Sequence, residues 1–216
     1  MSTKKQGSGV RGQRSVYYQN QKLKTQNSKL IFVTGGARSG KSSFALEMAN
    51  SITPPNPLFI KEGERGGVNR KCYLATAQAL DSEMEERIAR HKAERGNDWD
   101  CIEESLKVAE KIEELKVRYD VILFDCLTLW VSNLMHEYNV EALRAVPLPE
   151  INSLISACNT SGSTVIVVSN EVGLGIVPDN QLARQFRDLA GTANQLFAKA
   201  ADEAYFVVSG IPMRLK

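Results

Sequence analysis

The most constraining stretch of this 216-residue chain is Gly35-Gly36-Ala37-Arg38-Ser39-Gly40-Lys41-Ser42. It matches the pattern G-x-x-x-x-G-K-[ST], and its flanks supply the context that the pattern requires. The apolar run Leu30–Thr34 reads as a strand that enters it, and a helix is predicted from about Lys41 to Ser51. Glycines let the backbone curl until several N–H groups face one anion. The N-terminus of the following helix adds positive potential at the same point. Lys41 would reach the terminal phosphates of a nucleoside triphosphate, and Ser42 would ligate Mg2+.

Beyond that loop, short apolar runs alternate with amphipathic ones. Strands are predicted at Cys72–Thr76, Val121–Phe124, Thr164–Ser169 and Ala204–Ser209. Helices are predicted from Asp81, as N-cap, to about Glu94, then over Leu106–Arg118, Leu127–His136, Glu150–Asn159 and Asn180–Ala201. Near-continuous apolar strands alternating with helices point to a parallel sheet covered on both faces. The expectation is therefore an α/β chain with the P-loop NTPase fold and a mostly parallel central sheet. Asp125 ends the strand Val121–Phe124. A carboxylate there lies beside the phosphate loop and can hold Mg2+ directly or through water; its plainer role is to cap the helix that follows.

Charge divides the chain. Residues 1–29 hold seven Lys or Arg and no Asp or Glu, leaving 20 basic and 25 acidic residues in the remainder. The first segment is rich in Gln, Ser, Asn and Gly and too poor in aliphatics to offset its chain entropy, so 1–29 is expected to be a disordered basic tail. The rest, 30–216, reads as one domain. A stretch at about 53–70, with three prolines and three glycines, reads as a loop or insertion. No run is apolar enough to span a membrane and no secretory h-region opens the chain, which makes a cytoplasmic location the expectation. Cys72, Cys101, Cys126 and Cys158 form no C-x-x-C pair, and buried reduced thiols are the plain reading.

The chain has two histidines, His91 and His136. On a helix, Arg87, His91 and Arg95 are spaced i, i+4, i+8 and share one face. Two guanidinium groups disfavour the protonated imidazole and attract phosphate oxygens. Such a setting suits a histidine that attacks phosphorus. Spacing alone equally allows a solvated basic helix face.

Four stretches carry a resemblance to a known family. They are Val33–Ser42; Tyr73–Gln78 continuing through Asp81–Met84 to Arg87-Ile88, His91-Lys92, Arg95 and Trp99; Asp125–Leu134; and Ser169–Pro178 with Leu182–Arg184, Phe186–Asp188, Ala190-Gly191 and Val207–Gly210. On these the chain resembles the bifunctional adenosylcobinamide kinase/adenosylcobinamide-phosphate guanylyltransferases of cobalamin biosynthesis. The resemblance implies two reactions at one nucleotide site. A nucleoside triphosphate, ATP or GTP, phosphorylates the aminopropanol hydroxyl of adenosylcobinamide. GTP then gives GMP to the enzyme with release of pyrophosphate, and the GMP passes to adenosylcobinamide phosphate, giving adenosylcobinamide-GDP. It implies further that the carrier is His91, that Arg87 and Arg95 place the α-phosphate, and that Thr76, Gln78 and Glu103 lie around the nucleotide. It also implies a homo-oligomer, such as a trimer. The glycines of Asn170–Pro178 would suit close approach by a large substrate. Gly96 stands where many members have proline, and the tail and the 53–70 segment are extra.

Two other readings remain open on sequence alone. A simple small-molecule kinase would need Lys41, Ser42 and Asp125 but nothing from His91. A regulatory ATPase or nucleic-acid binder would use the basic tail, but the acidic remainder offers it little support.

Overall fold

Apolar runs pair into a single seven-stranded sheet in the computed structural model, which describes residues 28–52, 70–77, 98–116, 118–138 and 147–216. The described elements are β1 (Lys29–Gly35), α1 (Lys41–Ser51), β2 (Lys71–Ala75), β3 (Trp99–Glu103), α2 (Val108–Glu114), β4 (Val121–Asp125), α3 (Leu127–Glu137), α4 (Pro147–Thr160), β5 (Thr164–Asn170), α5 (Gln181–Ala200), β6 (Glu203–Val208) and β7 (Ile211–Arg214). The strand order is β3-β2-β4-β5-β1-β6-β7. All neighbours are parallel except β6 and β7.

Strand alternation builds two cores. In β1, Leu30 and Phe32 face one layer and Ile31 and Val33 the other, all of them buried. The first layer is filled from α2, α3, α4 and α5 by residues such as Ile112, Trp130, Leu154 and Phe197. The second layer receives Ala45 and Ala49 of α1. Both faces of the inner strands are thus out of water, which is why those strands read as unbroken apolar runs. β5 stands between β1 and β4. The phosphate loop and Asp125 therefore leave the same C-terminal edge one strand apart.

Two strands lie outside the sequence reading, and both are edges. β3 buries Trp99 but exposes Asp100, Cys101 and Glu103, so it lacks an apolar run. All four residues of β7 are exposed, including Pro212, which the sheet accepts because β7 has no outer neighbour to receive an N–H. The tight turn Ser209-Gly210, with φ of 51° and 80°, fixes its register.

Three boundaries are corrected. The expected tail 1–29 ends two residues too late, because Ser28 is buried with its Oγ accepting from the Gly162 N–H, and Lys29 opens β1 with its ammonium on Glu203 at 2.6 Å. Residues 1–27 and 53–69 lie outside the described residues. The helix expected over Leu106–Arg118 is only Val108–Glu114. Glu104 Oε1 accepts the N–H groups of both Leu106 and Lys107 at 2.9 Å and holds that stretch as a turn. The helix expected over Glu150–Asn159 starts earlier, with Pro147 and Pro149 in the first turn of α4, where no intrahelical N–H is required. Of the four cysteines, Cys101 is exposed, contrary to expectation. Burial pushes the Cys72 and Cys126 thiols up to about 12, which keeps them unreactive.

Candidate active site at the phosphate loop

The loop between β1 and α1 is a closed cradle. Gly35 ends β1, and a Cβ there would stand 2.5 Å from the Val207 carbonyl oxygen and 2.6 Å from Ser39 Oγ. Only glycine lets the loop fold that tightly onto β6. Gly40 has a φ of 90°, a left-handed conformation that turns the chain into α1. The Ser39 N–H donates to Gly36 O at 3.2 Å, and Ser39 O accepts from the Gly210 N–H at 2.8 Å. The β6–β7 turn thereby staples the loop from outside. Lys41 is buried, and its Nζ donates to Gly36 O at 3.0 Å across the cradle. The first i→i−4 bond of the helix runs from Phe44 N to Gly40 O at 3.0 Å, so the N–H groups of the first turn point out of the helix end. Ser39 Oγ is buried with no hydrogen-bond partner among the described residues. A cradle that buries a hydroxyl without a partner is built for a ligand that supplies oxygen acceptors.

Asp125 lies on the α1 side of the sheet. It shares the strand parity of Val121 and Leu123, which belong to the α1 core layer. The Tyr73 hydroxyl donates to Asp125 Oδ2 at 2.7 Å and fixes the carboxylate. Thr76 is wholly buried beneath it: its Oγ1 donates to Cys126 O at 2.9 Å and accepts from Cys126 N at 3.0 Å. The Thr76 N–H also donates to Asp125 O at 3.2 Å. Thr76 thus clamps the end of β4. Thr76→Val keeps the shape but leaves the buried Cys126 N–H unpaired, at about 1–3 kcal/mol, while Cys126 O keeps its bond from the Trp130 N–H at 3.1 Å. Thermal unfolding should show a lower Tm, by about 2–4 °C per kcal/mol; a Tm equal to wild type would contradict the clamp.

A buried polar network fixes the end of β5. The Ser169 hydroxyl donates to Asn194 Oδ1 at 2.6 Å, so the 3.0 Å contact between Thr128 Oγ1 and Ser169 Oγ must have Thr128 as donor. Thr128 Oγ1 in turn accepts from the Asn170 N–H at 2.6 Å, and Asn194 Nδ2 donates to Asn170 O at 3.1 Å. The Glu171 N–H then donates to Gly35 O at 2.9 Å. The ends of β5 and β1, and helices α3 and α5, are locked together at the edge where the cradle opens.

A family model described as "Cobinamide kinase / cobinamide phosphate guanyltransferase" matches residues 31–215. The bifunctional adenosylcobalamin biosynthesis protein CobU of Escherichia coli strain K12 is 39% identical over 196 residues, covering 87% of this chain and 99% of that protein. CobU of Salmonella typhimurium is likewise 39% identical over 196 residues, with the same coverage. CobP of Pseudomonas aeruginosa is 36% identical over 184 residues, covering 85% and 95%. The chain belongs to the cobinamide kinase/cobinamide phosphate guanylyltransferase family. Membership makes it an enzyme of cobalamin biosynthesis with both activities, and it answers the simple-kinase and nucleic-acid readings. Among solved structures, the P4 protein of bacteriophage phi6 in complex with ADP is similar at a TM-score of 0.42 and 12% identity, covering 86% of this chain and 52% of that one.

The described residues bring together much of the sequence-derived site, with Gly35 to Ser42 forming one cradle and Asp125 standing one strand away. Glu103 is exposed at the end of β3, in register with Ala75 and through it with Asp125. Gln78, Arg87, His91 and Arg95, with the whole predicted histidine helix, lie outside the described residues. His136 is in the last turn of α3, as expected of a helix-end residue.

Sequence reasoning missed the residues that position this family's loops. Asn133 Nδ2 donates to Thr76 O at 2.9 Å and to Ser105 O at 3.0 Å, and Trp130 Nε1 donates to Leu106 O at 2.8 Å. These two α3 side chains hold the segments that follow β2 and β3. The only available signal was a Trp-x-x-Asn spacing on a helix, which does not say what the face meets.

Proposed function

We propose that the one phosphate cradle serves both reactions, and that His91 carries GMP between them. The supporting observation is Lys41: a buried ammonium set across the loop at Gly36 O, in the same loop as the partnerless Ser39 hydroxyl, suits a polyphosphate whichever of its phosphorus atoms reacts. In the kinase step the aminopropanol hydroxyl of adenosylcobinamide attacks the γ-phosphorus of ATP or GTP, the bond from that phosphorus to the β,γ-bridging oxygen breaks, the nucleoside diphosphate leaves and the hydroxyl proton passes to solvent. In the second step a neutral His91 nitrogen attacks the α-phosphorus of GTP, and the bond to pyrophosphate breaks. The phosphate of the acceptor then displaces the imidazole, giving adenosylcobinamide-GDP. Arg87 and Arg95, four residues to either side of His91 in the sequence, orient the α-phosphate, while Gln78 and Glu103 line the nucleotide. Thr76 contributes through its hold on the end of β4.

The residues present fit Mg2+. Ser42 lies in the first turn of α1, and Asp125 keeps Oδ1 beyond its bond from Tyr73. Mg2+ commonly takes one or two protein oxygens and fills its other positions from phosphate and water. Ser42 and Asp125 would hold it, and the ion offsets charge on the nucleotide oxygens.

Among the described residues no helix is long and apolar enough to cross a membrane. A cytoplasmic location is part of the proposed reading. Exposed Leu174, Ile176 and Val177 in the loop after β5 favour a homo-oligomer, such as a trimer.

A non-hydrolysable GTP analogue should inhibit kinase and guanylyl transfer with the same Ki. Values that differ by tenfold or more would count against a shared cradle.

A further inference from the structure

A groove of about 600 Å³ opens beside the cradle, between the end of β1, the loop after β5 and α5. It lies on the face of the sheet opposite α1, since Thr34 shares the parity of Phe32, whose ring stacks on Phe197 of α5. Thr34 directly precedes Gly35, and Glu171, on the facing wall, donates its N–H to Gly35 O. The groove is thus one residue from the phosphate loop without being part of it.

Its chemistry differs from that of the cradle. Arg187 is paired with Asp188 at 3.2 Å, and Glu171 adds a second carboxylate, so the wall carries no excess positive charge. It does not suit a triphosphate. Gln195 adds a carboxamide, able to donate and to accept. Thr34 is 8% exposed, and its Oγ1 has no hydrogen-bond partner among the described residues. A buried hydroxyl left without a partner beside an open space marks a place where a ligand's polar group completes the structure. A volume of this size is that of a small-molecule site.

We infer that this groove receives the carboxamide-bearing edge of the corrinoid acceptor and so delivers its aminopropanol arm to the cradle. The inference rests on the proposed function, because only that reading supplies a large, amide-rich acceptor. Carboxamides match the wall in kind: each donates and accepts, as Thr34 Oγ1, Gln195 and the carboxylates require. The locked end of β5 keeps the wall rigid, since Asn194 both faces the groove and closes the Ser169–Thr128 network.

Gly191 offers a direct test. A Cβ built there meets nothing within 4 Å, so the position has open space in which a side chain can begin on the groove wall. Replacing a mid-helix glycine also favours the helix. Gly191→Phe should raise the KM for adenosylcobinamide at least tenfold, while the Kd for GTP stays at its wild-type value. Thr34→Val, nearly isosteric, should raise the same KM severalfold. An unchanged corrinoid KM in both variants would overturn the groove assignment, and so would a GTP Kd that rises in step with it. If the wild-type enzyme transfers no phosphate to adenosylcobinamide, the proposed function itself fails, whatever the variants do.

Discussion

Lys41→Ala should slow the kinase and guanylyl-transfer reactions together, each by about 10²–10³-fold in kcat, the usual effect of deleting one preorganised charge from a reacting site. The ammonium is held inside the loop by Gly36 O, where it would face the phosphates of a bound nucleotide. Both reactions build charge on phosphate oxygens and both lose the same group. Alanine is a good helix former at the first position of α1, so the fold should survive and the defect should appear in turnover rather than in Tm. Lys41→Arg should not rescue it, because a planar fork cannot occupy the slot of a compact ammonium. Steady-state assays of each half-reaction decide the matter. Wild-type rates for either one would separate the two sites.

His91→Ala should divide the activities instead. Guanylyl transfer should fall by roughly 10⁴-fold or more, as expected when a covalent nucleophile is removed. Kinase activity should remain substantial, because attack on the γ-phosphorus by a substrate hydroxyl uses no protein nucleophile. In the proposed mechanism the uncharged form of His91 is the nucleophile, and guanidinium groups at Arg87 and Arg95 would favour it. Replacing both arginines should therefore weaken guanylyl transfer twice over, by loosening the α-phosphate and by raising the fraction of protonated imidazole.

Much of this molecule was readable before any coordinates, for a physical reason. Inner parallel strands are buried on both faces, so Leu30–Val33, Val121–Phe124 and Val165–Val168 stand out as apolar runs. The phosphate loop is legible because its chemistry fixes residue types: Gly35 has no room for a Cβ, and Gly40 needs a positive φ. Edge strands hide because half or all of their side chains face water, as in Asp100-Cys101 of β3 and the whole of β7. Helix ends hide where a side chain intercepts the backbone, as Glu104 does ahead of α2.

The site divides in the same way. Lys41, Ser42 and Asp125 sit at positions defined by strand and loop, so their spacing announces them. Tyr73, Asn133 and Asn194 act across the sheet, on Asp125, Thr76 and the end of β5, at sequence separations of 52, 57 and 24. No local pattern encodes such a pairing. Thr76, which the resemblance places around the nucleotide, has its hydroxyl committed to the Cys126 backbone, a tie that no local pattern announces either.

The most direct measurement is the intact mass of the enzyme after exposure to GTP and Mg2+, followed by peptide mapping under mild alkali. The expected result is one GMP per chain, acid-labile, on the peptide that contains His91, and discharged on adding adenosylcobinamide phosphate. No adduct, or an adduct on any other side chain, would contradict a histidine-carried GMP.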